Sequence, residues 1–109
     1  MWGGADDREA IKAIHTSLDL GITTIDTAPV YGFGKSEELV GQALEGIARD
    51  KYQILTKYGM NWRTEKGEYF FDTIDNRGKP LKIYKFSGRE SVIQECEDSL
   101  KRLKTDYVD

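Results

Sequence analysis

Apolar positions recur along this chain with two periods, and the switches between them divide it into helices and strands. Behind an acidic start of Asp6, Asp7 and Glu9, the residues Ala10, Ile11, Ile14 and Leu18 follow helical spacing until Gly21. They predict an amphipathic helix of about fourteen residues. Thr23, Thr24 and Ile25 are β-formers that lead into Asp26, and Pro29, Gly32 and Gly34 prevent the strand from continuing. Ser36 suits an N-cap, Glu37 and Glu38 suit the positive end of a helix dipole, and Leu39, Val40, Ala43, Leu44 and Ile47 make one face. A second helix is therefore expected from about Glu37 to Ala48. Tyr52 to Thr56 is β-rich again and closes on Lys57. From Asp26 to Lys57 is about thirty residues, the length of a strand, a crossover helix and a parallel strand.

In the later strand Gln53, Leu55 and Lys57 share one side, and in the earlier one Thr24 and Asp26 share a face. If that common face is the interior of a barrel, Asp26 and Lys57 meet at its rim. In an open sheet they still meet, as a structural ion pair. Residues 58–88 are too long for a structureless loop in a small domain. Tyr69 to Ile74 and Leu81 to Tyr84 flank the turn-forming Asp75-Asn76-Arg77-Gly78, so a loose hairpin is expected. The aromatics of this excursion, Tyr58, Trp62, Tyr69, Phe70, Phe71, Tyr84 and Phe86, can wall an apolar pocket or form a small core of their own. Ser87 and Glu90 have capping-box spacing before the apolar face Val92, Ile93, Cys96, Leu100 and Leu103. Cys96 reads there as a buried small apolar residue. Tyr107-Val108-Asp109 begins another strand.

The chain has 109 residues, 39% of them hydrophobic, which supports a real core and one small domain. A net charge of −3 and a pI near 5.2 leave no electrostatic footprint for nucleic acid. The lone Cys96 excludes an internal disulfide and fits a reducing cytosol, so a cytoplasmic location is expected. No apolar stretch approaches the ~18 residues of a membrane span, and no membrane partner is expected. No Cys, His or carboxylate falls at ligand spacing around His15, which reads as a structural histidine, and no metal site is expected. The Gly32-Phe33-Gly34 turn ahead of a helix suggests a phosphate cradle, but Glu37 stands where a dinucleotide fingerprint requires a third glycine. A tight turn that starts a helix is the better reading.

Four segments together point to a family. Gly21-Ile22-Thr23-Thr24-Ile25-Asp26-Thr27-Ala28-Pro29-Val30-Tyr31-Gly32, then Ser36 to Leu44, then Thr56-Lys57, then Asp98 to Asp109 closely resemble the aldo-keto reductases, over nearly the whole chain. The Trp2-Gly3-Gly4-Ala5-Asp6-Asp7 start and the aromatic excursion resemble its bacterial members. The resemblance implies an α/β fold, a (β/α)8 TIM barrel that reduces aldehydes and ketones with NADPH, NADH being possible, through a tetrad of Asp, Tyr, Lys and His. Asp26, Tyr31 and Lys57 match the first three. The family's histidine closes the next strand and has no counterpart up to Asp109, and His15 cannot replace it. The 109 residues are thus expected to be the N-terminal part of the barrel, units one to three without the first strand, with 58–88 as an excursion. Most nicotinamide and phosphate contacts are expected outside this chain.

The chemistry of the three matching residues can be argued independently. A carbonyl that receives hydride develops alkoxide charge and needs a proton, and a phenol can donate one if its pKa is brought down from about 10. A nearby ammonium does this by stabilising the phenolate, and a carboxylate beside the ammonium keeps it charged and in place. Asp26 would support Lys57, and Lys57 would tune Tyr31. The expected partner is a small-molecule carbonyl, with Trp2 and Trp62 bordering its cleft because both follow strand ends on the catalytic side. By itself the 109-residue chain is expected to show no turnover. Two other readings are a catalytically silent regulatory or partner-binding relative, and an independent α/β domain in which Asp26 and Lys57 are only an ion pair.

Overall fold

The computed structural model describes the chain from Gly4 to Asp109. Its elements are helix α1 (Gly4–Asp19), strand β1 (Thr24–Asp26), helix α2 (Lys35–Leu44), strands β2 (Gln53–Leu55), β3 (Met60–Asn61), β4 (Glu68–Ile74) and β5 (Pro80–Lys85), and helix α3 (Arg89–Leu103). The strands β1 and β2 pair in parallel with Thr24 opposite Gln53, Ile25 opposite Ile54 and Asp26 opposite Leu55, and α2 lies between them in sequence. The remaining strands form an antiparallel sheet in the order β3-β5-β4.

The two faces of the parallel pair differ sharply. Ile54 is fully buried and Ile25 partly so, and they join Val40 and Leu44 of α2, Tyr52, and Leu103 of α3 in one core, with Ile14 and Leu18 of α1 packed against it. Burying a side chain such as Ile54 contributes about 1.5–3 kcal/mol, so this outer face holds the element pair together. On the opposite face Thr24, Asp26, Gln53, Leu55 and Lys57 are all exposed. That inner face carries the candidate chemistry.

Helix α2 lies close to α3 because Gly41 has no side chain. A Cβ there would sit 2.5 Å from the Arg102 carbonyl oxygen. The helix starts at Lys35, two residues earlier than Ser36 suggests, and its N-cap is Gly34 in the left-handed region at φ 97°. Ser36 is therefore not the cap. It ends at Leu44, short of Ala48, because Glu45 is extended and Gly46 turns the chain at φ 80°. His15 of α1 is exposed but reaches α2, where its Nε2 donates to the Ala43 carbonyl at 2.6 Å, a helix-to-helix tie.

Residues 68–85 form a hairpin. Asp75 organises its turn: the carboxylate accepts from the amides of Arg77 and Lys79 at 2.8 and 2.9 Å, and Gly78 supplies the positive φ of 81°. A bulge falls between Tyr69 and Phe71 on β4. The aromatics do not form a core here. Tyr69, Phe70 and Phe71 are exposed, and Ile83 is the fully buried side chain of the hairpin.

Helix α3 is capped by Gly88 without a side-chain hydrogen bond, so the Ser87/Glu90 capping box is not used. Its inward positions are Glu95, Ser99 and Leu103, spaced at i, i+4 and i+8, which turns Cys96 and Ile93 to the exposed side. Cys96 is thus not a buried apolar residue. Residues 105–109 do not form a strand, although the Asp109 amide bonds to the Ile54 carbonyl at 2.9 Å and its carboxylate accepts from the Ile54 amide at 2.9 Å. The chain therefore runs along the free side of β2. No helix of the described residues is long and apolar enough to cross a membrane.

Candidate active site

Strand β1 ends at Asp26, and the buried Thr27, Ala28 and Pro29 carry the backbone from it into a tight series of turns. Tyr31, Phe33, Gly34, Lys35 and Ser36 each direct their amide to a carbonyl of the same segment, from Ala28 to Gly32. The turn has no amide among these left to cradle a phosphate, which removes the nucleotide-loop reading on geometric grounds. Gly34 has a packing role instead: a Cβ there would lie 2.9 Å from Arg102 Cδ.

These turns place the Tyr31 ring, about half exposed, over the end of β2. Lys57 follows β2 on the same face as Leu55, and its Nζ donates to Asp26 Oδ1 at 2.7 Å and to the Thr27 carbonyl at 2.9 Å. The same Nζ lies 5.1 Å from the centroid of the Tyr31 ring. The carboxylate, ammonium and phenol singled out in the sequence thus occupy one rim of the parallel pair. The hydrogen bond from Asp26 pushes the Lys57 pKa above its ordinary value. Burial opposes this, and the Asp26 charge and Tyr31 add to it.

A partly open cavity of about 180 Å³ adjoins the rim, bounded by Val30, Tyr31, Lys57, Tyr58, Met60 and Glu95. Trp62 does not line it. Its ring packs edge-on against Phe33, centroids 5.6 Å apart, beside a neighbouring hollow that includes Asn76 and Leu81 of the hairpin. The hairpin tip leans onto the same turn, with Asn76 Nδ2 donating to the Gly32 carbonyl at 2.8 Å. Trp62 therefore lies on the strand-end side, one residue cluster away from Tyr31, while Trp2 lies outside the described residues.

Two buried carboxylates near the rim were not recognised as such in the sequence. Glu37 is fully buried on α2, where Oε2 accepts from Thr56 Oγ1 at 2.7 Å and Oε1 from Arg102 Nε at 2.7 Å. Glu95 of α3 is 5% exposed, and both its oxygens lie 3.2 Å from the Gly59 amide. Burial raises the Glu95 pKa above the ordinary carboxylate value, against the Gly59 hydrogen bond and the charge of Arg63. The one available signal for Glu37 was its place immediately after Ser36, on the helix start that follows the glycine turn.

Comparison with known proteins bears on the whole chain. The model of the aldo/keto reductase family matches residues 1–109. The NADH-specific methylglyoxal reductase of Escherichia coli (strain K12) is 40% identical over 109 residues, covering 99% of this chain and 32% of the relative. Among solved structures, the glycerol dehydrogenase AKR11B4 from Gluconobacter oxydans superposes with a TM-score of 0.78 at 42% identity, over 99% of this chain and 29% of that one. An aldo-keto reductase from Klebsiella pneumoniae in complex with NADPH superposes with a TM-score of 0.67 at 30% identity, over 98% and 29%. The chain spans less than a third of the length of the curated relatives it matches, so its strands and helices correspond to part of a TIM barrel. The match along all of its residues, with the inner strand face bare and the helices on the outer one, establishes that the chain belongs to the aldo/keto reductase family.

Proposed function

We propose that this chain carries the proton-donating side of an NAD(P)H-dependent reductase that converts small aldehydes or ketones to alcohols. One observation carries the reading: Lys57 Nζ is bonded to Asp26 at 2.7 Å while lying 5.1 Å from the Tyr31 ring centroid, at the C-terminal rim of two parallel strands. That rim is where barrel enzymes place their chemistry.

A bound nicotinamide cofactor supplies the hydride, which no side chain can. The residues of this chain fit the reacting end of such a site and not its phosphate end, since the amides of Tyr31, Phe33, Gly34, Lys35 and Ser36 are already bonded within the turn. As the carbonyl carbon accepts a hydride, the electron pair of the C=O π bond moves onto oxygen. Tyr31 then gives its hydroxyl proton to that oxygen, which leaves a phenolate and an alcohol. The Lys57 ammonium beside the ring stabilises the phenolate, and Asp26 holds the ammonium charged and in place. Both NADPH and NADH are compatible with this chemistry, and the Klebsiella complex with NADPH and the NADH-specific Escherichia coli relative support the pair of them. The names methylglyoxal reductase and glycerol dehydrogenase favour a small, polar carbonyl as substrate.

The reading is tested by mixing the full-length protein that carries this chain with NADPH or NADH and a set of small aldehydes. Saturable cofactor oxidation that depends on the aldehyde is expected. Cofactor binding without turnover on any aldehyde or ketone would favour a catalytically silent relative instead.

A further inference from the structure

Thr56 and Lys57 are consecutive at the end of β2, so their side chains leave on opposite faces. Lys57 points to Asp26 and Tyr31. Thr56 points to α2, where its hydroxyl donates to Glu37 Oε2 at 2.7 Å. Glu37 is completely shielded from solvent, and its other oxygen receives Nε and Nη2 of Arg102 from α3, both at 2.7 Å. The first turn of α2 reaches the other strand as well: Ser36 Oγ lies 2.7 Å from Thr27 Oγ1, and the carbonyl of Thr27 accepts from Lys57 Nζ.

Stability alone gives no reason for such a pair. Two charges removed from water are costly, and apolar residues of the same volume often do as well. What the pair provides is direction. A carboxylate fixed by a planar guanidinium presents its second oxygen at one place, and that oxygen holds the residue next to Lys57. We propose that Glu37, held by Arg102, is a positioning residue that sets Lys57 against Tyr31 through Thr56. This rests on the reading of Lys57 as the cation beside a proton donor. The charged and titratable groups around Lys57 are Asp26 from β1, Tyr31 from the turn that follows it, and Tyr58 and, from α3, Glu95, which border the same cavity.

Thr56→Val in the full-length protein deletes the hydroxyl at nearly constant volume and leaves the Glu37–Arg102 pair intact. Thr56→Ser restores the hydroxyl. Two readouts are taken: kcat and KM across pH, and the titration of the Lys57 ammonium by NMR of 13C-labelled lysine. For Thr56→Val the expected result is a fall in kcat of about 10- to 10²-fold with KM within about twofold, since misplacement of a catalytic group by ~1 Å has effects of that size. The Lys57 titration is expected to move to lower pH, because displacement weakens the Asp26 bond that raises it, and Thr56→Ser should return both to the parent values. If Thr56→Val does not fold, Thr56→Ala carries the same test. Unchanged kcat and titration would overturn the proposal, and so would a loss of kcat with the Lys57 titration unmoved, which marks a general weakening of the fold. If the parent protein proves inactive, the carbonyl-reductase reading fails separately, while the NMR titration still decides whether Glu37 and Thr56 place Lys57.

Discussion

Lys57 reaches back along the strand pair to Asp26: the register sets Asp26 opposite Leu55, and Lys57, two residues further on the same face, closes the gap with its long side chain at 2.7 Å. Both side chains are about half exposed or more, so the pair contributes little to stability, about 0–1 kcal/mol as for other solvent-screened pairs. Its effect is on the ammonium. A raised Lys pKa contributes stability that is fully present below the unfolded value near 10.5 and is lost as pH rises through the folded value. Asp26→Asn is therefore expected to lower the Lys57 titration and flatten the stability profile above about pH 10. The same variant should reduce turnover by about tenfold or more. NMR titration of labelled lysine and denaturant midpoints at neutral and alkaline pH check the two effects.

Glu95 has the same sign of linkage in a more acidic window. Its carboxyl is raised by burial, so between the unfolded value near 4.5 and the folded one the native state binds the extra proton, and stability falls as pH rises through that window. Glu95→Gln keeps an oxygen for the Gly59 amide and removes the buried charge. At neutral pH it should be as stable as the parent or more so, by up to about 1 kcal/mol, and this advantage should vanish as pH falls below about 4.5. Urea midpoints of both proteins across pH measure it. A large loss of stability at neutral pH would mean that the charge itself is required.

Trp62 offers a test of the cleft. Its edge contact with Phe33 ties the loop after β3 to the turn that holds Tyr31, without lining the cavity beside Tyr31. Trp62→Ala is expected to raise KM for the carbonyl substrate about 5- to 30-fold, equivalent to roughly 1–2 kcal/mol, and leave kcat within about twofold. Steady-state kinetics with one small and one bulky aldehyde give the answer. An unchanged KM for both would remove Trp62 from the substrate site.

The parts of this fold governed by local pattern were legible in the sequence. Alternation placed Asp26 and Lys57 on one face, and the Asp75-Asn76-Arg77-Gly78 run marked its own turn. Several misreadings involve a distant partner. Ser36 has the chemistry of a cap, but Thr27 takes its hydroxyl, and Gly34 caps the helix in a backbone conformation that suits glycine. Glu37 reads as a dipole-matching surface acid, yet it is buried because Arg102, 65 residues away, enters beside Gly34. Helix α3 misled for a similar reason at Glu95, which faces inward toward the Gly59 amide, 36 residues away, while Ile93 and Cys96 face outward. Burial of a polar side chain depends on a partner that no local window contains.

The central claim, that Tyr31 is the proton donor of a carbonyl reductase, is tested most directly by comparing the full-length protein with its Tyr31→Phe variant. The measurement is the rate of NADPH oxidation driven by a small aldehyde, with cofactor binding followed by fluorescence in both. Loss of a positioned general acid removes about 10²–10⁴-fold, so turnover should fall by at least 10²-fold while NADPH affinity stays within about twofold. Turnover in Tyr31→Phe equal to that of the parent would contradict the account.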